Sequence, residues 1–454
     1  MGHPELQAVI LACGDGARLY PLTEECPLSL LPVLNRPILQ YQLDLLEEAG
    51  FHRALVIAAE ETSSQVFRFL DEYSGALTLD RVVTDGSLDT ADVIRQARDK
   101  ITGDFVVVPG DLICEKGHLL AAMERHRRRG AALTMVLREE GLEVDKKGKL
   151  GRPRRDDEDV DFIGLTPDGR VVMKAPLLDV EEAVRVQKAL LRRHTSVSIG
   201  TSLMDVGLYV LSQSVLQHLE EHRFIGSLQD ELAPALVRRQ FAPPLPPAPS
   251  RTDQARGRIS IIAPAASLGH GAPAPVAADY YNDMINKLNI AKGAPGGVAA
   301  AGAGDGGGGV CAVVLRTAAD GGGYCRQART LAQYSGMTKD LLEAQLQAKG
   351  GGRVEGLNRK DQTLIGEGCT VGEKVTCKSS VIGRGCTIGA RCKINNCVVM
   401  EGARIGEACT IQNSVICANA GVGDGCNLND CQVGTLHAVA AGTKAKGEAF
   451  TRSI

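Results

Sequence analysis

The stretch "VIGRGCTIGARCKINNCVVMEGARIGEACTIQNSVICANAGVGDGCNLNDCQVG", residues 381–434, carries an aliphatic side chain at nearly fixed steps. Taken from slightly upstream, the positions are Ile365, Val371, Ile382, Ile388, Ile394, Val399, Ile405, Ile411, Ile416, Val422, Leu428 and Val433. The gaps run 6, 11, 6, 6, 5, 6, 6, 5, 6, 6 and 5, and the 11 divides into 6 and 5 if Cys377 takes the missing place. The repeat is therefore 17 residues in three short faces. An α-helix cannot hold it, because a step of six walks around a 3.6-residue turn and Gly366, Gly372, Gly383, Gly389 and Gly406 weaken a helix. The period predicts a three-sided β-solenoid over 360–440, each hexapeptide supplying one inward aliphatic residue and one corner.

The same period accounts for the cysteines. Of 14 in the chain, nine fall between Cys369 and Cys431, and Cys392, Cys409 and Cys426 are spaced by 17, as are Ser380, Cys397, Ser414 and Cys431. Residues one coil apart stack, so these small side chains fill equivalent places. No Cys-x-x-Cys pair occurs, which disfavours a metal site. No basic-then-apolar leader opens the chain, so the thiols are expected free in a reducing compartment, the cytosol.

Upstream, short apolar runs alternate with amphipathic stretches: "LQAVILA", "RPILQYQLDLLEEAG", "RALVIAAE", "SSQVFRFLDEYSG", "ADVIRQARDKI" and "DFVVVPGD". Continuous β-branched runs separated by helical periodicity predict a mostly parallel sheet covered by helices on both faces, an α/β domain of Rossmann-like type over 1–240. Pro37 opens the first helix and Gly50 closes it. Residues Gly141 to Val160, mixed in charge and broken by Gly and Pro, read as a surface loop. "APPLPPAPS" marks a boundary, and the Gly/Ala-rich run 293–309 reads as disordered, giving a linker over 241–310. A connecting strand and helix fill 311–359. With Lys+Arg 51 against Asp+Glu 54, no overall basic field recruits nucleic acid or an anionic membrane. No apolar run of about 18 residues predicts a membrane span.

Chemistry concentrates in two places. The loop "LACGDGARL" follows a predicted strand: Gly14 and Gly16 let backbone N–H groups approach an anion, and Arg18 can fork onto phosphate oxygens. In "VVVPGDL", Asp111 ends a buried strand at the sheet edge where α/β proteins bind ligands, placed to hold Mg²⁺ between phosphates or to cap a turn. Yet no lysine precedes Lys100, and the flank "CPLSLLPV" offers Leu28 and Ser29.

"LACGDGARLYPLTEECPLSLLPVLNRPILQYQLDLL", with "LDTADV", "VVVPGDL" and "VGLYVL", resembles the nucleotidyltransferases that make nucleotide sugars, whose signature begins Leu-Ala-x-Gly-x-Gly-x-Arg-Leu and continues through Pro-Lys-Pro. With a C-terminal left-handed β-helix, the resemblance covers about 6–240 and 360–435. It implies attack of a sugar phosphate on the α-phosphorus of a nucleoside triphosphate with Mg²⁺, or descent from an enzyme that did this. Residue by residue the pattern is eroded. The Pro-Lys-Pro lysine corresponds to Leu28 and the second proline to Ser29, a loss that should cost on the order of 10²-fold or more in rate. Gly-Thr-Ala reads Asp89-Thr90-Ala91. Glu-Lys-Pro has no clear match, the nearest text being Met173-Lys174-Ala175-Pro176. Leu11, Gly14, Gly16, Arg18 and Asp111 remain as a vestigial nucleotide-binding set, beside the degenerate Leu28, Ser29 and Asp89.

Among non-catalytic members, the gamma-subunit family of translation initiation factor 2B is most similar, sharing the two-domain plan and cysteine-rich hexapeptides. The epsilon subunit adds a helical domain beyond the solenoid, for which the roughly 20 residues after Gly434 are expected to leave no room. The resemblance implies a subunit of the exchange complex that recycles initiation factor 2, with the epsilon and other subunits as partners, initiation factor 2 as client, and no cofactor, metal, DNA or membrane. The alternative is a working sugar-nucleotide pyrophosphorylase, or its regulatory subunit, in which the lysine's role has passed to Lys174. The nine histidines are scattered and read as surface or core residues.

Overall fold

The computed structural model describes residues 6–139, 143–144, 150–151, 160–180, 186, 188–241, 309–315, 323–347, 356–358 and 360–451. Most of the mixed-charge segment and the linker, including its proline and Gly/Ala runs, lies outside them; within the former, Glu143–Val144 pairs antiparallel with Leu150–Gly151.

The β-branched runs form a seven-stranded sheet from β1 (Gln7–Ala12), β2 (Arg53–Ala59), β3 (Thr78–Thr84), β4 (Phe105–Pro109), β5 (Leu133–Glu139), β6 (Leu203–Leu211) and β7 (Val310–Leu315). Their order is β7-β5-β6-β4-β1-β2-β3. All pairings are parallel except those of β6, which runs antiparallel to β4 and β5. Alternate side chains enter two cores, one holding Val9, Leu55, Phe105 and Tyr209, the other Ile10, Val56, Val106 and Leu208. Burial on both faces is why these strands read as unbroken apolar runs. Pro37 caps the helix Ile38–Glu48, and Gly50, at φ +87°, turns the chain out of it.

The strand after the linker is part of this sheet rather than a connector. Val310–Leu315 pairs with β5 from Val310↔Leu133 to Leu315↔Arg138, and Cys325–Gln327 pairs with Leu112–Cys114 directly beyond β4. The α/β layer thus draws on residues well past 240.

The C-terminal strands stack in three parallel ladders with a 17-residue register, for example Val381↔Val398, Thr387↔Arg404 and Ile394↔Ile411. This fits the expected left-handed β-helix. Cys377 pairs with Ile394 and so occupies the place inferred for it, and the coils continue to Ala449–Phe450, past 440. Inside, thiols donate to carbonyls of the next coil: Cys386 to Met400, Cys392 to Gly406, Cys409 to Gly423 and Cys426 to Ala440, at 3.0–3.1 Å. All the described cysteines are free.

The helix Leu331–Gln347 is wedged between the two domains. Its Tyr334, Met337 and Leu342 share one core with Leu19, Leu31 and Val33 on one side and with Leu364, Val381, Val398 and Val415 of the solenoid on the other. Tyr334 donates its hydroxyl to the carbonyl of Pro32, and Asn35 donates its amide to the carbonyl of Ile382.

Candidate functional site

At the C-terminal edge of β1 and β4 a cleft of about 440 Å³ opens. Its wall brings together Leu11, Gly14, Leu28, Asp89 and Asp111 from the sequence reading and adds Arg329. Gly16 lies behind it, at φ +62° before the 3₁₀ turn Ala17–Leu19, its carbonyl accepting from the Thr23 hydroxyl at 2.9 Å. Arg18, on that turn, is exposed and does not line the cleft. Ser29 is buried, and its Oγ finds no hydrogen-bond partner among the described residues.

Leu28 packs over the loop at Gly14. A Cβ placed on Gly14 would sit 3.2 Å from Leu28 Cδ2, so the leucine methyl lies against the glycine backbone. Among the described residues lining the cleft, Arg329 is the one lysine or arginine, and it donates to Gln229 Oε1 at 2.6 Å. Asp15, Asp89 and Asp111 share the same wall. A triphosphate there would meet a single cationic side chain among the described residues of the wall.

Asp111 is almost fully buried. Burial raises its carboxyl above the ordinary 3.8, against the opposing pull of Arg329 and of Gln327, whose Nε2 donates to Asp111 Oδ1 at 3.2 Å. Asp89 is an N-cap: its Oδ1 accepts from Thr90 N at 3.1 Å, which holds a carboxylate at the cleft rim. The Thr90 hydroxyl then accepts from Leu228 N at 2.9 Å and Ala91 N donates to Gly226 O at 2.6 Å.

Lys174 stands elsewhere. It is fully buried, with Nζ 2.8 Å from Asp161 and 3.7 Å from Asp205, and it donates to the carbonyl of Gln229 at 3.0 Å. Tyr209 donates to Asp205 at 2.7 Å. Burial alone would lower the ammonium pKa, but Asp205 and Asp161 outweigh it and the net shift is upward. Tyr209 and Gln229 line the cleft; Lys174 does not. Lys174 is therefore held by two carboxylates and does not reach the cleft.

Gln327 and Arg329 carry no motif. They reach Asp111 only because Cys325–Gln327 pairs with the short strand after β4, a register that local periodicity does not encode.

Comparison with known proteins agrees with this geometry. Residues 7–149 match the nucleotidyl transferase family, and residues 355–444 match the EIF2B subunit epsilon LbH domain. The chain is 30% identical over 259 residues to translation initiation factor eIF2B subunit gamma of Dictyostelium discoideum, covering 53% of this chain and 59% of that protein. It is 29% identical over 251 residues to the same subunit of Schizosaccharomyces pombe, covering 52% of each. A bifunctional protein GlmU of Methanococcus vannielii is 33% identical over 110 residues, 24% of this chain and 25% of that one. The alignments span between half and three fifths of the gamma subunits. The chain thus joins a nucleotidyl transferase domain to a left-handed β-helix of the initiation factor 2B type, and it resembles the gamma subunits of that factor.

Proposed function

We propose that this chain is a non-catalytic subunit of the guanine-nucleotide exchange complex for translation initiation factor 2, supporting a catalytic epsilon subunit in the cytosol. The observation that carries the non-catalytic part is Leu28 lying on Gly14, in a cleft whose described wall holds one arginine and no lysine. A phosphoryl-handling site works by presenting cations to charge that grows in the transition state, and an alkyl group over the loop withholds that stabilisation. Leu11, Gly14, Gly16, Arg18 and Asp111 are then remnants of nucleotide binding, and Leu28, Ser29 and Asp89 mark the loss. The gamma-subunit likeness supports the exchange complex as the setting, with the epsilon and other subunits as partners and initiation factor 2 as client. No helix among the described residues is long and apolar enough to cross a membrane.

The test is purification of the tagged full chain at low stringency. Equimolar recovery of other initiation factor 2B subunits supports the reading. Recovery of the chain alone, together with Mg²⁺-dependent pyrophosphate release from a nucleoside triphosphate and a sugar 1-phosphate, overturns it in favour of a sugar-nucleotide pyrophosphorylase.

A further inference from the structure

The helix Gln213–Glu221 follows β6, and none of its residues lines the cleft. Positions three and four apart on a helix share a face. His218, Glu221 and His222 accordingly converge, their ligand atoms all within 4.8 Å of one another. The two imidazoles are buried and Glu221 is exposed, with ring centroids 4.3 Å apart.

The tautomer of His222 is set by its neighbour. Its Nδ1 lies 2.9 Å from the carbonyl oxygen of His218, which can only accept, so Nδ1 carries the proton and Nε2 presents a lone pair. An outer hydrogen bond of this kind is what orients metal-ligating histidines. Gln217 donates to Glu221 Oε1 at 3.1 Å and steadies the carboxylate. The group sits at the helix C-terminus, whose partial negative charge favours a cation.

A cation already touches it. Arg239 Nη1 lies 3.0 Å from His218 Nδ1, and since a guanidinium has no acceptor, the arginine donates into the lone pair of the ring. With Arg239 donating to Nδ1, the His218 ring is held as the neutral imidazole that presents this lone pair.

We propose that His218, Glu221 and His222 form a binding site for a divalent transition-metal ion of the zinc class, which enters by displacing Arg239 from His218 Nδ1. Two imidazoles and one carboxylate suit such borderline ions; the hard Mg²⁺ and Ca²⁺ want more oxygen ligands. Ion and guanidinium compete, because both seek one lone pair and two cations that close repel.

Zinc titration of the full chain by calorimetry, with cobalt absorption as a second readout, tests this. Wild type takes up one equivalent that His222→Gln loses, and Glu221→Gln, an exposed change that spares the fold, weakens binding by more than the roughly 10- to 100-fold that loss of an outer partner of a ligand costs. Arg239→Ala binds about tenfold more tightly, the equivalent of one strong hydrogen bond no longer broken on entry. The solenoid thiols are unchanged in every variant and serve as the internal control. Equal zinc uptake by wild type, His222→Gln and Glu221→Gln overturns the proposal, as does weaker binding by Arg239→Ala.

Discussion

Asn35 donates its side-chain amide to the carbonyl of Ile382, 3.0 Å away and 347 positions along the chain. The bond ties the segment that begins with Leu28 to the second coil of the solenoid. Tyr334 ties the same segment to the wedge helix through Pro32. Residues 32–35 thus help hold the two domains together. Tyr334→Phe and Asn35→Ala each remove the donor of a partly buried bond, and each is expected to cost about 1 kcal/mol in denaturant unfolding. Equal midpoints for wild type and Tyr334→Phe would contradict this coupling.

Placing a cation at Leu28 tests the proposed loss of nucleotide handling directly. Leu28→Lys places an ammonium beside Gly14, and a charged hydrogen bond to phosphate of about 1.5–3 kcal/mol raises Mg²⁺–nucleoside triphosphate affinity roughly 10- to 100-fold. Pyrophosphate release remains undetectable, because Asp89 still faces the cleft and Lys174 is still bound to two aspartates. Equilibrium dialysis with labelled nucleotide reads the first part and a pyrophosphate assay the second.

The buried network predicts an asymmetry. Lys174→Met strands Asp161 and Asp205 without their counter-ion and costs about 3–5 kcal/mol, whereas replacing lysine and both aspartates by apolar residues of similar volume costs far less. Chemical denaturation of the single and triple variants at neutral pH decides it.

Asp111 gives a pH dependence with a definite sign. Its folded pKa lies above its ordinary value of 3.8, so between those two values the native state binds more proton than the unfolded chain. Stability attributable to this carboxyl therefore falls as pH rises through that window. Asp111→Asn removes the penalty and stabilises the protein at neutral pH, and the gain vanishes below pH 3.8. Unfolding curves taken on both sides of the window check it; a gain that persists at low pH rejects this account.

Two glycines of one coil should behave oppositely. A Cβ on Gly389 would lie 2.6 Å from the backbone of Gly406 in the next coil, so Gly389→Ala must push the stack apart. Gly385, at φ +62°, has nothing within 4 Å of the same atom, and the corner one coil later but one is Asn419 at φ +55°. Gly385→Asn is then worth only a few tenths of a kcal/mol, against several for Gly389→Ala, by thermal melting.

The period of the solenoid was legible because every coil meets the same surroundings, so Ile388, Ile405 and Val422 are one solution repeated. The parallel sheet was legible for a related reason: strands covered on both faces tolerate only apolar residues. What escaped depends on pairing across long separations. Nothing near Val310 says that it will join β5, and nothing near Gln327 says that it will meet Asp111. That His218 and His222 share a helix face with Glu221 follows from their spacing, but that Arg239 lies opposite them does not. Leu28 was visible as a substitution; that it rests on Gly14 was not.

The return of the chain to the sheet at β7 has a consequence for how the protein can be altered. Gln240 already meets the incoming strand, its Oε1 accepting from Val310 N at 3.1 Å, so the two ends of the excursion are stapled side by side. The entropy of closing a loop grows only with the logarithm of its length, about 0.6 kcal/mol per doubling. A change in the number of residues joining those two fixed ends therefore alters the closure term by only that amount, and their adjacency gives a defined point at which to attach a reporter domain.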